Sequence, residues 1–154
     1  MTSSDGQTTS TTTGESRGKG GTLPSFALPT AMMVAVTIAA AAAVGALVAG
    51  VLVLVQPAWT SSAVWGAVAA AVGSLTGALV IRPWKVRPFT RWPMVMFAGQ
   101  GVSMAGVTLA GGLLYWAAQP GSKIVFGLVA VAAFVPAMFA QVAVFSRRMA
   151  GASA

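Results

Sequence analysis

Two groups of side chains in this chain are able to do chemistry, and they are of different kinds. The first is a set of uncharged hydrogen-bonding residues set in apolar surroundings: Ser74, Thr76, Gln100, Ser103 and Gln141. Such side chains donate and accept hydrogen bonds without carrying charge, so they bind helices or a polar solute together but do not relay protons as ionisable groups do. The second is the dense stretch from Arg82 to Pro93, which holds Arg82, Lys85, Arg87 and Arg91 together with Trp84, Phe89 and Trp92, stiffened by Pro83, Pro88 and Pro93. Cations interleaved with aromatic rings suit anionic headgroups, each cation contributing about 1 kcal/mol near a membrane surface. The same residue types also anchor docking surfaces for acidic partners. Arg82, Trp84, Lys85, Arg87, Arg91 and Trp92 are therefore the candidate contacts for a partner or for anionic lipid.

Other chemistry is excluded by what the chain lacks. There is no cysteine and no histidine among the 154 residues, which removes thiolate catalysis, haem ligation by histidine and the usual zinc sites. The two carboxylates, Asp5 and Glu15, lie in the polar beginning of the chain, outside the four apolar blocks. No nucleophile, base and orienting group can be assembled, and no phosphate-binding glycine loop occurs. The expectation is a protein that is not an enzyme and takes neither metal nor cofactor. The net charge of +7 is no sign of nucleic-acid binding, because the basic residues flank apolar blocks as topology signals do.

The elements that must position these residues are transmembrane helices. The chain is 56% hydrophobic and 7% charged, where a soluble domain carries roughly 25% charged residues. Four uncharged blocks, at about 30–55, 62–81, 92–118 and 123–145, are each long enough at 1.5 Å rise per residue to cross a hydrocarbon core of about 30 Å. The first is longer than the apolar core of a signal peptide and follows a long tail, so it is taken as an uncleaved helix. Residues 1–22 are serine, threonine and glycine with a few charges, and are expected to form a disordered tail. The segment from Leu23 to Pro29 is expected at headgroup level, residues 23–148 form the membrane domain, and 149–154 a short tail.

Orientation follows from the basic residues. Arg17, Lys19, Arg82, Lys85, Arg87, Arg91, Arg147 and Arg148 fall on one side of the four spans and Lys123 alone on the other. The positive-inside rule then places both termini and the second loop in the cytoplasm. Trp59, Trp65, Tyr115 and Trp116 would mark the outer interface, with Trp84 and Trp92 at the inner one. The short first and third loops predict that consecutive helices are antiparallel neighbours. The fold class expected is all-α, an integral four-helix bundle in the cell membrane, in a bacterial inner membrane by its alanine- and glycine-rich composition.

Lipid gives helices no hydrophobic reason to pair, so pairing depends on small residues and hydrogen bonds. Ala69, Gly73 and Gly77 recur along segment two, Gly99, Ser103, Gly106 and Ala110 along segment three, and Ala42, Ala46 and Gly50 along segment one. Gly73, Gly77, Gly99 and Gly106 are the expected packing positions, with homo-oligomerisation through one such stripe as the alternative. Gln100 and Gln141 both sit roughly 9 to 12 Å from the cytoplasmic boundary at the helical rise. With Thr37, Ser74 and Thr76 at similar depth, they predict a polar layer to which all four helices contribute, and in which Gln100 and Gln141 bond across segments three and four. Pro136 inside segment four predicts a kink near Ala132.

The layout resembles the ATP synthase protein I family: four short spans, both ends cytoplasmic, a tight first loop, and a basic second loop leading straight into the third span. Arg91, Trp92, Phe97, Ala98, Gly99 and Gln100 are similar to that family's start of the third helix. Members often carry an acid or a cation on that helix, whereas Gln100 and Ser103 are neutral here. The resemblance implies an accessory protein that assists assembly or stability of the ATP synthase membrane rotor, with the bilayer and ATP synthase membrane subunits as partners. From the residues alone two other classes stand beside it. One is a holin-like channel or transporter component that oligomerises around Gln100, Ser103, Thr108 and Gln141; the other is a structural subunit of another membrane complex.

Overall fold

The computed structural model describes residues 25–152. The tail expected to be disordered at 1–22 lies outside these residues. The described chain is four long helices in sequence, with one two-stranded contact at one end of the bundle. Helix α1 (Thr30–Val55) follows Pro29, whose ring suits the approach to a helix start, and stops at Gln56, which precedes Pro57 and has a non-helical backbone, φ −151° and ψ 76°. A single 3₁₀ turn, Pro57–Trp59, leads directly into α2 (Thr60–Val80), so α2 begins two residues before the expected span. Arg82 then takes a left-handed backbone conformation, φ 52°, and Pro83 follows, which ends α2 sharply.

Helix α3 (Trp92–Ala118) opens on Pro93, tolerated in a first turn because that N–H has no helical partner. It closes at Gln119, φ 43° and ψ 61°, followed by Pro120. Helix α4 (Lys123–Ala152) runs through Pro136 as one continuous helix and continues seven residues beyond Phe145. Arg147 and Arg148 interrupt the apolar run but not the helical hydrogen bonding.

Each helix is long and apolar enough to cross a membrane. Their outward faces carry large apolar side chains, among them Leu54, Phe97, Leu109, Leu128 and Phe139, all well exposed. Many buried positions hold alanines, glycines and hydroxyls instead, including Ala63, Ala69, Ala70, Thr37, Ser74 and Ser103. This is the inverse of a water-facing surface and fits lipid surroundings.

Helix α2 is the hub, packed against all three others, and α1 also packs along α4. Consecutive helices pack together in the pairs α1–α2 and α2–α3, but α3 and α4 scarcely touch although only a short loop joins them, which corrects the expectation for that pair. The cause is the distribution of small residues. One side of α2 offers Gly73 and Gly77 to α3, where a Cβ on Gly73 would strike the backbone of Val107 and one on Gly77 would stand 2.6 Å from the Gly99 carbonyl oxygen. Another side offers Gly66 to α4, where a Cβ would stand 2.6 Å from the Phe126 carbonyl oxygen. The four expected packing glycines thus all lie in the α2–α3 seam, with Gly99 against Ile81 and Gly106 against Gly73.

On α1 the expected stripe is not the buried one. Ala42, Ala46 and Gly50 face outward, and the buried line one position over is Met33, Thr37, Ala41 and Gly45, the last packed against Ala67. In a run as rich in alanine as this, small residues line several faces, and the side chains of Met33 and Thr37 decide which one turns inward.

Candidate functional site

The basic stretch is a structured cap and not a loose loop. Ser25 and Phe26 pair antiparallel with Pro88 and Arg87, and the Leu28 amide donates to the Pro83 carbonyl at 2.8 Å. The segment leading into α1 is therefore stitched to the connection between α2 and α3. The Phe26 ring stacks on the Trp92 indole, 5.7 Å between centroids and 20° between planes, and the Trp92 Nε1–H donates to the Phe26 carbonyl at 3.1 Å. Phe145 of α4 closes a third side at 6.4 Å, and Leu28, Met33, Ile81, Met96 and Val144 complete an apolar cluster.

Trp92 is completely buried. This corrects its expected place among the headgroup and partner contacts: the ring that would have lain at the interface is instead the pivot on which three chain segments meet. Its burial also positions Arg87, whose guanidinium carbon lies 5.4 Å from the Trp92 ring centroid. A cation over an indole face is attracted by the ring's negative quadrupole. The Arg87 Nη1 is buried and has no hydrogen-bond partner. Arg82, Trp84, Lys85 and Arg91 are exposed around it, as are Arg147 and Arg148 at the end of α4. The described residues include no aspartate or glutamate, so no acidic side chain among them balances these cations.

Deeper in the bundle the uncharged polar residues form a directed chain. The Gln100 Nε2 donates to the Gln141 Oε1 at 3.3 Å, the Gln141 Nε2 donates to the Thr37 Oγ1 at 3.0 Å, and the Thr37 hydroxyl donates to the Met33 carbonyl at 2.7 Å. Helices α3, α4 and α1 are joined by these bonds, and Gln141 is 1% exposed. The two interhelical bonds contribute about 0.6 kcal/mol each at the average for such pairs. Beside the chain, the Ser103 hydroxyl reaches the Ser74 carbonyl at 3.5 Å, a long contact that marks the α2–α3 seam. The Ser74 hydroxyl and the Gln100 Oε1 are buried without a partner.

The bonded chain thus joins α3, α4 and α1, while α2 adds only the Ser74 carbonyl beside it and Thr76 stands apart. Thr76 is exposed on the outside of α2 and donates to its own helix at the Val72 carbonyl, 2.9 Å. Thr108 does the same with Met104 at 3.0 Å. Hydroxyls that face lipid satisfy themselves this way because no water is at hand. The layer contains no ionisable group, and no set of metal-binding side chains gathers among the described residues. What it can do is hold helices in register.

Sequence reasoning missed Phe26 and Leu28, the residues that tie the cap together. The only signal was a lone aromatic residue between Pro24 and Pro29. Scanned against protein-family models, curated proteins and solved structures, the chain matches none. The fold and these faces define an all-helical, multi-pass membrane protein with one strongly basic end.

Proposed function

We propose that this chain is a membrane accessory protein that docks through its basic, cytoplasmic end onto an anionic partner, assisting assembly or stability of the ATP synthase membrane rotor as its protein I-like layout implies. One observation carries the reading. Six cations, Arg82, Lys85, Arg87, Arg91, Arg147 and Arg148, crowd one end of the described bundle without an acidic side chain among the described residues, and four of them sit on a cap braced by the Phe26–Trp92 stack. A braced surface loses less freedom on docking than a loose loop would. The pore reading is less favoured. Gln141 and Ser103 are buried within one chain and Thr108 is bonded to its own helix, so a channel between copies would be lined mainly by apolar side chains.

The test is affinity capture of the tagged full chain in mild detergent, followed by identification of co-purifying proteins. Arg82, Lys85 and Arg91 are exposed, so their triple alanine variant leaves the cap intact. Recovery of ATP synthase membrane subunits with the native chain and their loss with the variant is the expected result. A homo-oligomer with no other protein would overturn the proposal.

A further inference from the structure

The bundle uses its glycines in two ways. Gly73, Gly77, Gly99 and Gly106 stand where α2 and α3 touch, and a Cβ at each would meet the neighbouring segment. Gly112 and Gly127 do nothing of the kind: a Cβ at either would meet nothing within 4 Å, and at Gly111 it would reach only the Phe126 ring, at 3.8 Å. Open glycines also occur at Gly50 and Gly101, so what sets Gly111, Gly112 and Gly127 apart is where they lie. These three line a crevice of about 370 Å³ between α3 and α4, walled by Val107, Tyr115 and Phe126, in the half of the bundle away from the basic cap.

Its lining is mainly apolar, with Ala130 and the exposed Val131 beside the glycines and Thr108 the one aliphatic hydroxyl, which is bonded to its own helix. Its polar end is different. Tyr115 also lines a second hollow of about 300 Å³ with Trp116, Gln119 and Pro120. The Lys123 ammonium lies 5.8 Å from the Tyr115 ring centroid, and Lys123 is the single charged residue at this end of the bundle. An apolar slot between helices, leading up to one cation and a small polar hollow, repeats the order of groups in a phospholipid: acyl chain, phosphate, headgroup.

We infer that the α3–α4 crevice is a phospholipid site, with one acyl chain along Gly111, Gly112 and Gly127 and the phosphate at Lys123. The bound lipid fills the space that the weak α3–α4 contact leaves open and fastens the two helices where they share no seam. The site lies at the opposite end from the docking cap and stands independently of the proposed function.

The test is native mass spectrometry of the full chain released from membranes in mild detergent, with phosphorus analysis of the same samples. Gly127→Leu adds bulk to the wall of the slot at a position where a Cβ meets nothing within 4 Å, Lys123→Gln removes the charge, and Gly50→Leu adds equal bulk on the open face of α1 as a control. The native chain and the Gly50→Leu variant should carry a phospholipid through detergent exchange. Both site variants should bind added phosphatidylglycerol roughly tenfold or more weakly, the loss expected for a hydrogen bond to a charged group or for a blocked slot. Helicity and melting temperature show that each variant is folded, and Gly112→Leu replaces Gly127→Leu if that chain misfolds. Native-level lipid retention in either site variant would overturn the assignment. So would a change from dimer to monomer in the slot variant without loss of lipid, which would give the crevice to a second copy.

Discussion

Replacing Gly73 with alanine puts a methyl group against the backbone nitrogen and Cα of Val107. Because the obstructing atoms are main chain, no rotamer change clears them, and α2 and α3 must move apart. The reciprocal side offers no relief, since a Cβ on Gly106 would stand 3.0 Å from the Gly73 carbonyl oxygen. Overpacking of this kind costs about 1–3 kcal/mol. Alanine also gains about 1 kcal/mol over glycine in helix propensity, so the variant alone mixes two opposed effects. Gly50→Ala separates them, because a Cβ there meets nothing within 4 Å and the change carries the propensity gain by itself. The difference between the two variants isolates the seam, and Gly73→Ala should be the less stable by about 1–3 kcal/mol. That is up to about 140-fold in the unfolding equilibrium. Reversible unfolding in mixed micelles, followed by helicity, measures it. Stabilities equal within about 0.5 kcal/mol, the spread of inert surface substitutions, would refute the close approach of α2 and α3.

Two further outcomes are expected. In a double-mutant cycle on Gln100→Leu and Gln141→Leu, the coupling should be about 0.6 kcal/mol in favour of the pair, and a coupling near zero would mean that the α3–α4 bond does not form. Trp92→Ala should cost about 3–5 kcal/mol, as large-to-small changes in filled cores do, and should strip hydrogen-exchange protection from the Leu28 amide. Unchanged protection at Leu28 would show that its bond to Pro83 does not depend on the Phe26–Trp92 stack.

The helices were legible because charge is scarce: α1 and α3 have the bounds expected from the uncharged blocks. Helix α4 outran its block because hydropathy reports where lipid ends, whereas Arg147 and Arg148 are good helix formers that continue the hydrogen bonding into a polar phase. Depth was legible too, since counting residues from the basic boundaries put Gln100 and Gln141 level with each other, and they bond at 3.3 Å. Rotation about the helix axis was not legible. Thr76 shares the depth of the polar layer but points the other way, and the α1 stripe was placed one position off, because alanine and glycine recur too often there to single out a face. The burial of Trp92 was beyond reach for a different reason. It depends on a strand of two residues, Ser25 and Phe26, too short to leave any periodic trace.

The bond from Gln141 to Thr37 joins residues 104 positions apart, and it sets an order on the making of the protein. As the chain leaves the ribosome, α1 and α2 can pair at once and α3 can dock on the Gly73–Gly77 seam, while the cap closes once Trp92 has emerged to meet Phe26. Throughout this time the Thr37 hydroxyl has only the Met33 carbonyl of its own helix to serve. Helix α4 arrives last and must slide into the remaining side of α2, where Gln141 meets Gln100 and Thr37 together. The last span to be synthesised is thus the keystone, and a chain cut short before Lys123 would hold three helices without the glutamine link between α1 and α3.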